Sequence, residues 1–280
     1  MNSNESEFLE QKICRSMAGI GKTTVCLIQG ASRGIGAQYC RTLIGRENVQ
    51  VIASCRKPNA SQELLELKKG HPDNLLILPL DVTEEETIAS AASQVEKQFG
   101  KLDLLINAAA ILHPSGKGET SLKTTSAEDM LQTFETNTIG PLMVAKHFSK
   151  LLSKGEGLIG TQSSDGSQKH ASVLVNMSAK VGSISDNGLG GWYSYRMSKA
   201  ALNMATKNLS IEWGRGQRKT VCISLHPGTV DTDLSRPYHK NVKTLFSTEH
   251  SVNMMLEVID SLSMSDSGKF FLYDGSVFPF

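Results

Sequence analysis

The chain has almost no net charge: 29 lysines and arginines stand against 28 aspartates and glutamates over 280 residues. No global field draws it to nucleic acid or to a membrane surface. Long apolar runs are missing too, far short of the roughly 20 residues a membrane-spanning helix needs. Residues 1–11 are polar and carry Glu5, Glu7 and Glu10, unlike a secretory signal or an arginine-rich transit peptide. The five cysteines, Cys14, Cys26, Cys40, Cys55 and Cys222, contain no Cys-x-x-Cys and sum to an odd number. They read as reduced thiols of a cytoplasmic protein. None stands at metal-ligand spacing with a histidine, so no metal is expected, and no internal repeat is visible.

What is present is alternation. Short apolar runs at 25–30, 49–54, 75–80, 102–107, 173–177, 221–226 and 270–273 read as strands. Helix-length segments fall between them at 34–44, 61–69, 84–99, 126–152, 192–213 and near 251–262. Continuous apolar strands, each followed by a helix, indicate a parallel sheet covered on both faces. The alternation never breaks, so a single α/β domain is expected over 25–280, behind a polar, disordered leader at 1–24. The stretch 154–170 is rich in Gly, Ser and Gln and is predicted to be a mobile surface insertion. Three glycines within 186–191 suit a flexible border to a site.

Gly30-Ala31-Ser32-Arg33-Gly34-Ile35-Gly36 lies between the first strand and the first helix. A strand entering a tight turn and then a helix aims free N–H groups and the helix dipole at one point, which suits a phosphate. Gly30 permits the turn, Gly34 lets a diphosphate approach, and Gly36 lets the helix pack on the sheet. An ordinary glycine-rich β–α turn would share this composition, and the spacing differs from the Gly-x-Gly-x-x-Gly of other dinucleotide binders. Gly21-Lys22-Thr23 imitates a nucleotide-triphosphate loop, but Ser16 stands where that loop needs its first glycine. It also precedes the first strand instead of following one, so it is rejected.

Tyr195-Arg196-Met197-Ser198-Lys199 sits in a proline-free segment whose apolar positions Ala201, Leu202, Ala205 and Leu209 recur at helical spacing. Residues four apart share a helix face, which pairs Tyr195 with Lys199. An ammonium beside a phenol favours the phenolate, so Lys199 is expected to pull Tyr195 below its usual pKa of about 10. Such a tyrosine can pass a proton near neutral pH. Tyr-x-x-x-Lys also arises by chance on surfaces, and the pair alone does not establish chemistry.

With this turn and this pair, the chain resembles the short-chain dehydrogenase/reductase family from about residue 25 to the C-terminus. The family's motifs occur in order: Gly30, Gly34 and Gly36; Asp81-Val82; Asn107-Ala108-Ala109-Ala110; Asn137; Tyr195 with Lys199; and Pro227-Gly228 with Thr232. Asn176-Met177-Ser178, Trp192-Tyr193-Ser194-Tyr195 and His226-Pro227-Gly228-Thr229-Val230 are similar to a narrower branch, that of the C-factor-like and sniffer-like carbonyl reductases. The resemblance implies a Rossmann-type doubly wound parallel sheet with a cofactor along the C-terminal strand ends. It implies that Gly30, Ser32, Arg33, Gly34, Ile35 and Gly36 cradle that cofactor. Asp81, beside Val82, would bond the adenine, with Asn107, Ala108 and Ala109 along the adenosine. Asn137 would kink the long helix and hold a water of a proton relay. Lys199 would bond the nicotinamide ribose, and Pro227, Gly228, Val230 and Thr232 would close over the nicotinamide. The implied reaction is reduction of a small ketone or aldehyde, with Tyr195 donating the proton. The alternative is a cofactor-binding signal or redox sensor of little turnover.

The second strand ends Ser54-Cys55-Arg56-Lys57 without a carboxylate. A carboxylate there would bond a ribose 2′-hydroxyl and repel a 2′-phosphate. Arg56 and Arg33 instead suit a phosphate dianion, which favours NADP(H). The pattern departs from the family at one place: Ala179 stands where a carbonyl-polarising serine is usual. Ser178, one residue early, is assigned that role on the assumption of an irregular strand end, with Ser183 as the alternative. The loops 111–121, 183–191 and 233–248 that would border the substrate hold no diagnostic cluster. Homodimer, homotetramer and monomer all stay open.

Overall fold

The computed structural model describes residues 22–162, 169–217, 219–242 and 244–280. Its strands are β1 (Thr24–Gln29), β2 (Val49–Cys55), β3 (Leu75–Pro79), β4 (Leu104–Asn107), β5 (Ser172–Met177), β6 (Thr220–His226), β7 (Phe270–Leu272) and β8 (Val277–Phe278). They form one sheet in the order β3-β2-β1-β4-β5-β6-β7-β8. Every pair is parallel except the last, where β8 turns back on β7. The helices are α1 (Gly34–Ile44), α2 (Gln62–Gly70), α3 (Glu85–Phe99), α4 (Ala127–Phe134), α5 (Gly140–Leu152), α6 (Tyr193–Trp213) and α7 (Thr248–Ser261).

Alternate residues of each strand point to opposite sheet faces, and both faces are buried here. On one, Cys26, Ile28, Val51, Leu104 and Val173 meet Tyr39 and Leu43 of α1 and Met255 and Ile259 of α7. On the other, Val25, Leu27, Ile52, Leu105 and Leu174 meet Ile88 and Val95 of α3 and Phe148 and Leu152 of α5. This two-sided burial is why the strands read as unbroken apolar runs. The fold is the expected single-domain, doubly wound α/β type.

Side chains fix several helix ends. Ser61, Ser126 and Ser247 accept from Leu64, Asp129 and His250 N–H at the starts of α2, α4 and α7, each cap contributing about 1 kcal/mol. Gly100 closes α3 in the left-handed conformation. The predicted helix over 126–152 is not continuous. A π-helical segment, Glu135–Ile139, separates α4 from α5. Pro141 has no N–H to give the carbonyl four residues back, that of Asn137, so the ladder loses a rung there. The hairpin strand β8 was too short to register as a pattern.

Of the expected leader, residues 1–21 lie outside the described residues, and Thr24 already belongs to β1. The stretch 154–170 is not a free surface insertion at its described ends. Ile159 packs into the core and His170 is buried, while Gly157 N–H bonds Ala171 O and Thr161 N–H bonds Leu262 O. Residues 163–168 lie outside the described residues.

Candidate active site

Strand order reverses at β1, whose neighbours β2 and β4 lead the chain in opposite directions. Such a switch point opens a crevice at the C-terminal strand ends, and a cleft of about 620 Å³ lies there. The glycine turn forms its floor. A Cβ on Gly30, at φ 85°, would fall 2.5 Å from Ala109 N, and one on Gly36 would fall 2.2 Å from Gly30 O. Only glycine lets strand end and helix start approach this closely. Helix α1 begins at Arg33 without a side-chain cap, so its first-turn N–H groups are left for a ligand. Gly34, Ile35 and Gly36 line the cleft. The turn therefore fits a diphosphate.

Asp81, Val82, Ala108, Ala109 and Thr232 line the same cleft. Asp81 Oδ1 accepts from Thr83 N–H at 3.1 Å and Thr83 Oγ1 at 2.8 Å, which orients the carboxylate. Asn107 does not join them. It is buried behind the wall, its Nδ2 donating to Asn176 Oδ1 at 2.8 Å and Pro141 O at 3.3 Å. Asn176 in turn donates to Thr206 at 2.9 Å. This ladder ties β4 and β5 to α6, with the amide facing the interior. Pro227, Gly228 and Val230 follow β6 and stand outside the cleft's lining, which resumes at Asp231 and Thr232. Gly228 packs on Phe246 and Tyr273, and Val230 is buried in a bridge to Phe246.

At the other end a second pocket of about 500 Å³ is lined by Ser32, Arg33, Arg56, Lys57, Ala60, Ser61 and Asp81. Three cations converge there. Arg33 also pairs with Asp233 at 3.3 Å across the cleft, an exposed bridge of small energetic weight.

Tyr195 and Lys199 lie one turn apart on α6, both buried. Lys199 Nζ donates to Met177 O at 2.8 Å and lies 5.8 Å from the Tyr195 ring centre. The expected lowering of the Tyr195 pKa is not what this geometry gives. Burial pushes the Tyr195 phenol up and pulls Lys199 down to about 7, because desolvation disfavours the charged form of each. Tyr195 Oη bonds no described residue, so its proton is available. His226, ending β6, is held neutral at neutral pH, pulled to about 4 by burial and by nearby Lys180.

Asn137 occupies the π segment and is fully buried. It accepts Ile111 N–H at 2.9 Å, donates to Ile111 O at 2.8 Å and donates to Ser198 Oγ at 3.0 Å. It thus fastens the loop after β4 to α6, beside Tyr195. Thr138 adds a bond to Ser198 O at 2.8 Å.

Ser178 does not reach this group. Its Oγ donates to Asn203 Oδ1 at 2.7 Å on α6, while its neighbour Ala179 packs with Leu112 and Tyr195. Adjacent side chains of an extended chain face opposite ways, and here the methyl faces the site. Ser183 is buried and its Oγ accepts Asp186 N–H at 3.1 Å. Around Tyr195 lies an apolar wall of Leu112, Val181, Trp192, Leu234 and Tyr238. The Trp192 ring stands 4.6 Å from that of Tyr238 and 6.3 Å, edge-on, from that of Tyr195. Trp192 holds left-handed φ 48°, ψ 46°, which costs about 1–2 kcal/mol for a non-glycine residue. Sequence reasoning placed Leu112, Leu234 and Tyr238 in loops that would border the substrate but gave Val181 and Trp192 no such place. It also missed Glu119, a buried carboxylate against the start of α6, because no motif surrounds it.

A doubly wound parallel sheet with a glycine turn at the crevice of its switch point is the frame of an oxidoreductase that works with a nicotinamide cofactor. The chain belongs to the short chain dehydrogenase family, whose pattern matches residues 24–243. An uncharacterised oxidoreductase of Schizosaccharomyces pombe is 33% identical over 271 residues, covering 91% of this chain and 98% of the relative. The NADPH-bound carbonyl reductase from chicken fatty liver superposes with a TM-score of 0.79 at 35% identity, over 93% of this chain and all of that one (100%). The carbonyl reductase Sniffer of D. melanogaster gives 0.80 at 29% identity, again over 93% and 100%.

Proposed function

We propose that the protein is a cytoplasmic NADP(H)-dependent reductase of small, apolar carbonyl compounds. The observation that carries this reading is Tyr195, a buried phenol beside Lys199 that packs within an apolar wall and whose hydroxyl bonds no described residue. When bound, the cofactor supplies the hydride. The chain's own residues do the rest. Gly34, Ile35 and Gly36 would hold the diphosphate, Asp81 the adenine, and Arg33, Arg56 and Lys57 the 2′-phosphate. Tyr195 keeps its proton because burial raises its pKa, which suits a donor in the reducing direction. Lys199, bonded to Met177 O, and Asn137, bonded to Ser198, hold the turn of α6 that carries Tyr195. Trp192, Tyr238, Leu112 and Leu234 exclude water and favour a planar or aliphatic carbonyl over a charged one. Four unpaired thiols, Cys26, Cys40, Cys55 and Cys222, agree with a reducing compartment. Among the described residues no helix is long and apolar enough to cross a membrane. The exposed face of α6 is where two copies would associate.

NADPH oxidation with a panel of ketones and aldehydes tests the reading. Tyr195→Phe, which keeps the ring and removes the proton, should lower kcat by about 100-fold or more; an unchanged rate rules the mechanism out. Arg56→Glu places a carboxylate at the 2′-phosphate pocket. It should weaken NADPH binding by at least about 10-fold while leaving NADH binding nearly level. Equal losses for both would sink the NADP(H) assignment. The low-turnover sensor reading is supported by Ala179, which gives the substrate oxygen no donor. Tight NADPH binding with no turnover on any carbonyl would favour it.

A further inference from the structure

Helix α6 begins without a cap of its own: its N-cap residue Trp192 lies in the left-handed region and makes no side-chain cap hydrogen bond. The acceptors come from a distant loop. Glu119 Oε1 accepts Ser194 N–H at 3.1 Å and the Ser194 hydroxyl, and Glu119 O accepts Trp192 N–H at 2.6 Å. One residue thus holds both ends of the first step into the helix. Its side chain is buried, and a carboxylate there meets the positive end of the helix dipole. Behind it stands His113. Its Nδ1 accepts Ser115 N–H at 3.2 Å, and its Nε2 lies 3.9 Å from Glu119 Oε1 and 3.7 Å from Asp129 Oδ2. Burial works against the Glu119 charge, but the bonds from Ser194 and the nearby His113 outweigh it, and its carboxyl is held below the usual range.

Trp192 is itself part of the gripped segment, and Tyr195 follows Ser194 directly. Gly118 completes the fit, since a Cβ there would fall 2.6 Å from the Trp192 ring, and Gly118 N–H donates to Tyr238 Oη at 2.9 Å. We propose that Glu119 is a positioning residue for catalysis: it clamps the first turn of α6 and so sets Tyr195 Oη and the Trp192 wall against the substrate. The proposal rests on Tyr195 being the proton donor. No residue that lines the cleft belongs to α6, and of that helix only Tyr195 and Lys199 are expected at the cofactor, so most of the cofactor's contacts are independent of the clamp.

The test compares Glu119→Ala, Glu119→Gln and Ser194→Ala in a Trp213→Phe background. Trp192 is then the sole tryptophan, since the chain has two. Three quantities are read: kcat and KM for one carbonyl substrate, Kd for NADPH, and the Trp192 emission maximum. Glu119→Ala should lower kcat by about 10- to 100-fold, with NADPH Kd within about 2-fold and Trp192 emission shifted to the red. Glu119→Gln still accepts from Ser194, and should return kcat to within about 5-fold of the parent together with its emission. Ser194→Ala removes one bond and should show a smaller loss with a smaller shift. The proposal is overturned if kcat in Glu119→Ala stays within about 3-fold, or if Gln fails where Ala fails. Loss of NADPH affinity in step with kcat would likewise overturn it, as the mark of a merely structural role. Should Glu119→Ala fail to fold, Ser194→Ala decides: unchanged kcat and emission there overturn the clamp. A parent enzyme inactive on every carbonyl would remove the reductase reading, while Trp192 emission still judges the clamp.

Discussion

At the scale of single residues, a methyl group stands beside Tyr195 where the family usually has a serine. Ala179 sits at φ −145°, ψ 144°, ordinary extended backbone that serine adopts without strain. Its side chain already packs with Tyr195 and Leu112. Ala179→Ser would therefore place a hydroxyl beside the proton donor, where it can stabilise charge developing on the substrate oxygen. Restoring such a donor should raise kcat by about 10- to 100-fold. Ser178→Ala removes a hydroxyl that bonds Asn203, and should leave kcat within about 3-fold. Steady-state rates on one carbonyl compound settle the matter: a collapse in Ser178→Ala with no gain in Ala179→Ser would return the role to Ser178. The alternation of side chains along an extended segment already argued against Ser178 from sequence. The assumption of an irregular strand end overrode it, and the backbone here stays regular enough for alternation to hold. Lys199 shows the other limit of sequence reading. Spacing placed it over Tyr195, but its pKa of about 7 comes from burial by elements far away in the chain.

At the scale of elements, legibility follows how local the cause is. Strands and helices were readable because each face of the sheet imposes its own period on the nearest residues. The glycine turn was readable because its demands, a positive φ at Gly30 and no Cβ at Gly36, act within seven residues of chain. The π segment was less so. Pro141 removes a rung locally, yet the widened turn is held by bonds from Asn137 to Ile111 and Ser198, partners separated by 26 and 61 positions. The grip of Glu119 on α6 spans 75 positions and has no motif at either end. A contact of that kind is fixed by how loops pack on the finished sheet, and nothing in the local pattern encodes it. Asn107 illustrates the same point from the opposite side: its motif was read, but its amide serves the β4–β5–α6 ladder, while Ala108 and Ala109 line the cleft.

At the scale of the molecule, the exposed surface carries its own pattern. Met197, Met204 and Ile211 are all exposed on α6, and their seven-residue spacing lines them along one side of the helix. On the adjoining α4 and π segment, Leu131 and Ile139 are exposed as well. Scattered apolar residues on a surface need no explanation, but a row continued onto the neighbouring helix does. A second copy of the chain is the partner proposed for it. In a two-fold arrangement the same patch meets itself. Antiparallel pairing of α6 then sets Met204 against its own counterpart and Met197 against Ile211. Met204→Lys would bring two like charges together at the centre of that contact, where no partner neutralises them. Light scattering behind size exclusion should give a dimer for the parent and a monomer for Met204→Lys at about 10 µM, a concentration at which a dimer held by a standard-size interface persists. NADPH affinity should be unaltered, because the cofactor cleft lies at the strand ends away from this face of α6. A parent that runs as a monomer, or a variant that stays dimeric, excludes this face as the interface.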